Sequence, residues 1–197
     1  MPKKAKAPND KKIYAALFDM IAEKGLGRTR LSALADKLNI PVNTFYARYP
    51  TVYTLIDDFL DHVDREMLRH VSYGGNTTKR DLYFDLMMAR FDALQPYRTG
   101  VVRWLKDTAH HPTLMAPLLK RWNRSLSLML DIAKDSPLYP VKKVGLAGVY
   151  LVSLRAWTED PSPDMAKTMA ALDKALGKAG YVVERFLTPD KTKRKAA

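Results

Sequence analysis

Two short helical segments lie close together near the N-terminus, and they limit the folds open to the chain more than any other feature. The first, for which Thr29 is the expected N-cap, carries apolar side chains at helical spacing: Leu31, Leu34, Ala35 and Leu38. The second follows Asn39-Ile40-Pro41 and runs to about residue 49, where Pro50 stops it. Because helices this short bury little surface alone, we expect a helix-turn-helix braced by the preceding helix.

Helical periodicity extends over most of the remaining chain, and no stretch combines strict alternation with β-branched residues. Prolines and a glycine-containing loop at 73–76 separate the later segments, so we expect helices near 78–94, 97–109, 113–134, 140–159 and 163–186. The sequence therefore predicts an all-α protein of about nine helices.

Four parts follow from this reading. They are a basic arm at 1–10, a helix-turn-helix domain at 11–56 from which a helix to about residue 72 leads onward, a second domain at 77–187 and a basic tail at 188–197.

Charge is unevenly distributed along the chain. The 197 residues carry a formal net charge of +12, and the first 50 hold ten Lys or Arg against four Asp or Glu. This excess at one end is typical of a segment that meets a polyanion such as nucleic acid. The chain has no cysteine, which excludes a disulfide framework, a thiolate metal site and a cysteine nucleophile, and is compatible with the cytoplasm.

The second short helix would enter the major groove if the unit binds DNA. Phe45 and Tyr49 are expected to face inward, although Tyr49, at the end of the helix, is also counted among the candidate contacts. The remaining side chains carry hydrogen-bond donors suited to phosphates and base edges: Asn43, Thr44, Tyr46 and Arg48.

Three stretches in this region, IYAALFDMIAEKG, RTRLSALADKLNI and TFYARYPTVYTL, resemble the TetR family of transcription regulators over residues 12 to about 60. The resemblance implies that Arg30, Thr44, Tyr46 and Arg48 contact phosphates or bases. It also implies a homodimer on a palindromic DNA operator, which a small ligand releases. The sequence departs from the family at Val52, where a lysine is usual, at Asn43, where a glycine is usual, and at Pro41, where a capping serine is usual.

The basic arm leaves two alternatives open. Its lysines reach a flanking minor groove, or they form a solvated tail: Lys3, Lys4, Lys6, Lys11 and Lys12. Lys11 and Lys12, which begin the first helix, are taken as candidate DNA contacts.

Two later stretches, RDLYFDLMMARFDALQPYRTGV and VYLVSLRAWTEDPSPDMAKTMAALDKAL, resemble the ubiquinone-biosynthesis accessory family, whose members have a TetR-like fold and bind lipid or isoprenoid. In the second stretch the resemblance rests on Trp157, Asp160, Ser162, Asp164 and Thr168. It implies a cavity for an apolar effector such as an isoprenoid, and it makes a lipid-binding accessory protein the alternative to a regulator.

Large apolar side chains between 82 and 157 are the candidates to line such a cavity: Met88, Trp104, Met115, Leu119, Trp122, Met129, Tyr150 and Trp157. An ordinary packed core is the other interpretation of the same residues. Small residues in the segment 140–159 allow a second helix to approach closely, so we expect a two-fold four-helix bundle with the segment 163–186, using Gly145, Gly148, Leu172 and Leu176.

Other classes of function find no support. The sequence contains no GxSxG, P-loop or GxGxxG motif, the paired His110 and His111 diverge on a helix, and Asp57, Asp61 and Asp64 are expected to form a solvated acidic face. We therefore expect no enzyme, cofactor or metal site. The C-terminal tail either packs on its own domain, which we favour, or lies on an anionic membrane surface. The longest nearly uncharged apolar stretch, residues 144–154, is too short for a membrane span.

Overall fold

The computed structural model of the protein describes residues 9–69, 78–134 and 139–182, with the backbone alone at 181 and 182. These residues form nine α-helices and no strand. The helices are α1 (Asp10–Lys24), α2 (Leu31–Lys37), α3 (Val42–Arg48), α4 (Val52–Arg69), α5 (Lys79–Leu94), α6 (Arg98–Ala109), α7 (Pro112–Ile132), α8 (Tyr139–Glu159) and α9 (Ala166–Val182). Short 3-10 turns occupy Leu26–Arg28 and Gln95–Tyr97. The all-α prediction is confirmed.

The boundaries of α5 to α8 agree with the sequence prediction to within two residues, whereas the end predicted for α4, near residue 72, lies outside the described residues. The start of α9 is later than predicted, because Met165 adopts a left-handed conformation with φ of 51° and Asp164 accepts a hydrogen bond from the Ala166 N–H. The loop predicted at 73–76 and the tail beyond 182 lie outside the described residues.

The chain divides into two compact units. Unit 1 comprises the described residues up to 69 together with 89–122, and unit 2 comprises 78–88 and the described residues from 123 onward. The division passes through α5 and α7, so α6 and the first half of α7 belong with the helix-turn-helix rather than with the C-terminal helices.

An aromatic cluster forms the centre of unit 1. The rings of Phe18 and Phe59 lie 4.5 Å apart, and Tyr14 and Tyr97 pack edge-on against Phe59. Helix α6 approaches α1 so closely that a Cβ added at Gly100 would lie 2.1 Å from the carbonyl oxygen of Phe18. Only glycine fits this contact, which fixes α6 against the first helix of the helix-turn-helix.

A buried ionic network joins three helices of unit 1. Asp64 of α4 is buried and accepts hydrogen bonds from Arg90 of α5 and, at 2.8 Å, from Arg121 of α7. Arg121 also lies 2.7 Å from Asp61 and 3.4 Å from Asp57. The expectation of a solvated acidic face is therefore wrong for Asp64, because the two arginines bring its charge into the core.

Unit 2 is built on the packing of α8 against α9. Trp157 is fully buried, and Asp160 directly after α8 is buried as well. The two oxygens of Asp160 accept hydrogen bonds from the backbone and hydroxyl groups of Ser162 and Thr168, with distances of 3.2 Å from Ser162 N and 3.0 Å from Thr168 N. Burial alone would raise the pKa of Asp160, but these hydrogen bonds outweigh it and lower the pKa to about 2. The carboxylate thus fixes the corner from which α9 starts.

Candidate nucleic-acid interface

The turn between α2 and α3 has the geometry of a helix-turn-helix. Asn39 takes a left-handed conformation with φ of 53°, which asparagine tolerates better than most residues, and Ile40 N–H returns to the carbonyl of Ala35 at 2.9 Å. Thr29 does not cap α2 as expected. Arg30 occupies the cap position without a side-chain hydrogen bond, and the Thr29 hydroxyl donates instead to the Gly25 carbonyl at 2.9 Å.

Helix α3 buries one side and exposes the other. Phe45 and Tyr49 are buried, while Asn43, Thr44 and Tyr46 are exposed, with Tyr46 at 41%. Pro41 at the cap position offers no side-chain acceptor, and Asn43 Oδ1 instead accepts from the Thr44 N–H at 2.9 Å. Three members of the outward polar set predicted for this helix, Asn43, Thr44 and Tyr46, are therefore accessible to solvent.

Asp58 of α4 connects this helix to the rest of unit 1. Its Oδ2 accepts hydrogen bonds from the hydroxyls of Tyr14 in α1, at 2.8 Å, and Tyr49 after α3, at 2.9 Å. Burial and the bond to Asp58 raise the pKa of both tyrosines above the ordinary value, so both remain donors at neutral pH. Tyr49 is only 3% exposed, so it packs beneath α3, and its ring is not accessible for the contact predicted from the sequence.

Arg48, the last residue of α3, is exposed but already paired. Its Nη2 lies 2.8 Å from Asp10 Oδ1 and 3.9 Å from Asp58 Oδ2, and its guanidinium carbon lies 4.8 Å from the centre of the Tyr49 ring. Burial would lower the pKa of Arg48, but the hydrogen bond to Asp10 and the neighbouring negative charges raise it. The cation is thus held between Asp10 of α1 and the ring of Tyr49.

Further basic groups are exposed in the same unit. Arg30 occupies the cap position before α2, and Lys11 and Lys12 lie in the first turn of α1 after the N-cap Asn9. The predicted arm residues Lys3, Lys4 and Lys6 lie outside the described residues.

The first turn of α4 contains an exposed residue that the sequence analysis missed. Thr51 and Thr54 cap it reciprocally, with Thr54 N–H donating to Thr51 Oγ1 and Thr51 N–H to Thr54 Oγ1, each at 3.1 Å. Tyr53 within this turn is 52% exposed, whereas Val52 is half-buried. The Thr-x-x-Thr spacing before an apolar run is the sequence signal for this cap, and it places Tyr53 in the first turn of the helix.

Solved structures with the same architecture include the TetR transcriptional regulator from Nitrosomonas europaea. It matches with a TM-score of 0.75 at 20% identity, over 87% of this chain and 98% of that one. A TetR transcriptional regulator from a Rhodococcus species matches with a TM-score of 0.59 at 14% identity, over 86% and 93% of the two chains. The chain has the TetR-type fold.

A second comparison concerns the C-terminal half. The COQ9 family model matches residues 112–182, somewhat over a third of the chain. This range contains the second of the two stretches that resemble the ubiquinone-biosynthesis accessory family, but not the first, at 80–101. No curated protein matches the chain in sequence.

The residues predicted to line a ligand cavity are divided between the two units. Trp104, Met115, Leu119 and Trp122 belong to unit 1, and Met88, Met129, Tyr150 and Trp157 belong to unit 2. Within their units Trp104, Met129, Tyr150 and Trp157 are buried core residues, whereas Leu119 is 47% exposed. A cavity formed by these eight residues stays a prediction.

The residues predicted for a dimer interface differ in exposure. Gly145 and Gly148 of α8 are exposed, and a Cβ added at either would meet nothing within 4 Å. Leu172 and Leu176 of α9 are buried within the chain itself. The accessible surface of α8 also includes four apolar side chains: Val141, Val144, Leu151 and Val152.

The described residues contain no group of three potential metal ligands among His, Cys, Asp and Glu. In that same part of the chain, none of the helices combines the length and apolar character that crossing a membrane requires.

Proposed function

We propose that the protein is a DNA-binding transcription regulator of the TetR type, a homodimer that binds a palindromic operator and is released from it by a small apolar ligand. In this proposal the protein is a repressor, because release from the operator then allows transcription. The cytoplasmic location expected from the sequence is also part of the proposal. The solved structures of the same fold that we describe above are themselves named TetR transcriptional regulators, which supports it.

The observation that carries the proposal is the surface of α3. Asn43, Thr44 and Tyr46 are exposed together on a helix whose other side is fixed by Phe45 and by the hydrogen bond from Tyr49 to Asp58. A rigid helix with outward amide, hydroxyl and phenol groups suits base edges and phosphates in a major groove. Arg30, Lys11 and Lys12 add exposed positive charge in the same unit, which suits the DNA backbone.

The dimer is supported by the accessible face of α8. Val141, Val144, Gly145, Gly148, Leu151 and Val152 follow one another at helical spacing, and Val144 is 74% exposed. A contiguous apolar face of this kind, with two glycines that permit close approach, fits a second copy of the same helix across a two-fold axis. Leu172 and Leu176 then act within each chain, by holding α9 against α8.

A selection experiment tests DNA binding directly. Full-length protein is used to select sequences from a random duplex library, and its affinity for the enriched sequence is measured from low to high salt. We expect an inverted-repeat sequence and an affinity that falls steeply with salt, since phosphate contacts release counterions. Failure to enrich any sequence, together with salt-independent binding, would contradict the proposal.

Substitutions on α3 refine this test. Tyr46→Ala should weaken binding to the enriched sequence by about 1–3 kcal/mol without lowering the melting temperature, because the side chain is exposed. Lys174→Ala, exposed on α9 in unit 2, is the control and should bind as the wild type does. An equal loss of DNA affinity in the two variants would mean that α3 does not contact DNA.

The dimer has its own test. Val144→Glu should convert the dimer to a monomer in sedimentation velocity, since a charge at the most exposed position of the apolar face opposes its burial against a second copy. Ala109→Glu, exposed at the end of α6, should leave the dimer intact. A dimer that persists in Val144→Glu would place the interface elsewhere.

A lipid- or isoprenoid-binding accessory protein of ubiquinone biosynthesis is the second candidate. The COQ9 match over residues 112–182 favours it, and so does the resemblance of the α8–α9 region to that family. Organic extraction of the purified protein, followed by mass spectrometry, distinguishes the candidates. Recovery of a stoichiometric isoprenoid lipid from a protein that selects no DNA sequence would favour the accessory role.

A further inference from the structure

Arg48 has contacts of two kinds. It lies over the ring of Tyr49 and, at 3.9 Å, near the carboxylate of Asp58, which Tyr14 and Tyr49 already hold through their hydroxyls. The same Nη2 also forms an ion pair with Asp10, at 2.8 Å, in the first turn of α1. The side chains of Arg48 and Asp10 are 45% and 46% exposed, so water and ions reach this ion pair.

Asp10 is not needed to position α3. The end of that helix is fixed by the buried ring of Tyr49 and its hydrogen bond to Asp58, and by Phe45 in the core. The ion pair with Asp10 is a solvent-exposed contact, and such contacts are weak and easily exchanged. The ion pair does determine the direction of the Arg48 guanidinium, and it places a negative charge, that of Asp10, next to this cation.

We propose that Asp10 is an affinity-limiting residue, which holds the guanidinium of Arg48 in the free protein and is displaced from it by a DNA phosphate. The inference rests on the proposed DNA-binding function and adds a residue that the sequence analysis did not consider. Guanidinium groups bind phosphate in the same planar, two-pronged way as carboxylate, so one anion replaces the other without movement of α3. The exchange leaves Asp10 unpaired close to the phosphate, and its repulsion weakens binding.

The test compares two substitutions that remove the same charge from the same helix. Asp10→Asn removes the partner of Arg48, and Asp19→Asn removes an exposed carboxylate farther along α1. Binding of the full chain to a 30-base-pair random-sequence duplex is measured by fluorescence anisotropy at several salt concentrations. We expect Asp10→Asn to bind about two- to fivefold more tightly than Asp19→Asn at low salt.

A second pair of variants assigns the effect to Arg48. In an Arg48→Ala background the advantage of Asp10→Asn over Asp19→Asn should shrink, because no guanidinium remains for Asp10 to hold and only its repulsion of the phosphate is left. An advantage as large as the one measured with Arg48 present would overturn the inference, since Asp10 would then act without Arg48. Equal binding of the two single variants would overturn the inference, and so would weaker binding of Asp10→Asn than of the wild type, which would make Asp10 a support for Arg48.

These outcomes are separable from failure of the proposed function. If the wild type binds the duplex with the expected salt dependence and the two single variants are equal, only the role of Asp10 is wrong. If the wild type shows no salt-dependent binding, the proposed function is wrong and the role of Asp10 is wrong with it. Thermal melting by circular dichroism verifies that each variant is folded at the temperature of the binding measurement.

Discussion

Asp64 in unit 1 and Asp160 in unit 2 are both buried carboxylates, yet their surroundings differ in kind. Asp64 accepts hydrogen bonds from two buried cations, Arg90 and Arg121, which come from other helices. Asp160 accepts hydrogen bonds from the neutral backbone and hydroxyl groups of Ser162 and Thr168, which lie just beyond it in the chain. The cost of burying the Asp64 charge is thus offset by opposite charges from other helices. For Asp160 the same cost is offset by hydrogen bonds from residues close to it in the chain.

The difference bears on what each carboxylate can do for the fold. The Asp64 network connects α4, which leads out of the helix-turn-helix, to α5 and α7, the helices that contribute residues to both units. It therefore orients helices that are remote in sequence. The Asp160 corner sets the start of one helix and the packing of neighbouring segments. Loss of the first should destabilise a whole unit, whereas loss of the second should loosen one junction.

The largest effect is expected for Asp64→Asn. The substitution leaves Arg90 and Arg121 buried without the carboxylate between them, and removal of one partner from a buried ion pair costs about 3–5 kcal/mol. Urea denaturation should show this loss in the free energy of unfolding. Asp57→Asn is the matched control, because Asp57 lies 3.4 Å from the same arginine but its side chain is 61% exposed. A loss in Asp64→Asn no larger than that in Asp57→Asn would contradict the comparison.

A smaller effect is expected for Asp160→Asn. Asparagine keeps one oxygen but turns an NH₂ group toward hydrogen-bond donors, so one side of the corner is left without an acceptor. A buried group deprived of its partner costs about 1–3 kcal/mol. Denaturation measures the loss, and Asp164→Asn, at an exposed position nearby, should change stability by less. An Asp160→Asn variant as unstable as Asp64→Asn would mean that neutral donors and cations compensate a buried carboxylate equally.

The contribution of Asp160 to stability should also depend on pH. The pKa of Asp160 is lowered to about 2 in the folded protein, below the value of about 3.9 for an unfolded aspartate. The stabilisation is therefore complete above about pH 4 and is lost as the pH falls through 2. The difference in unfolding free energy between wild type and Asp160→Asn should shrink over this range. A difference that stays constant down to pH 2 would show that the charged form of Asp160 is not the one that is stabilised.

The same comparison explains how much the sequence predicted. Asp160, Ser162 and Thr168 lie within nine residues of one another, so a local sequence pattern can include every side chain of this hydrogen-bonded corner. All three were among the residues that carried a family resemblance. Asp64 lies 26 residues from Arg90 and 57 from Arg121, and helical periodicity does not register contacts between residues so far apart. The predicted solvated acidic face was wrong for that reason.

The candidate interface shows the same division. The outward set Asn43, Thr44 and Tyr46 followed from the periodicity of a single short helix. The hydrogen bond from Tyr14 to Asp58 and the ion pair of Arg48 with Asp10 each join residues about 40 apart, and no local pattern indicated them. Sequence reasoning thus recovered the elements and the exposed face of α3, but not the contacts that hold that face in place.

The smallest expected effect comes from Thr168→Val, which removes a single donor from the Asp160 corner. The valine keeps the size and branching of threonine and the backbone N–H that donates at 3.0 Å, but loses the hydroxyl at 3.1 Å. The hydroxyl donates to an ionised carboxylate, and a hydrogen bond to a charged group is worth about 1.5 kcal/mol at the lower end of its range. The unfolding free energy should fall by about that amount, because the other donors to Asp160 remain. The pKa of Asp160 should rise toward its ordinary value, since one of the bonds that lowers it is gone. Carboxyl chemical shifts followed against pH measure this rise. A lower stability with an unchanged pKa would mean that the hydroxyl acts through packing, and that backbone groups alone compensate the buried charge.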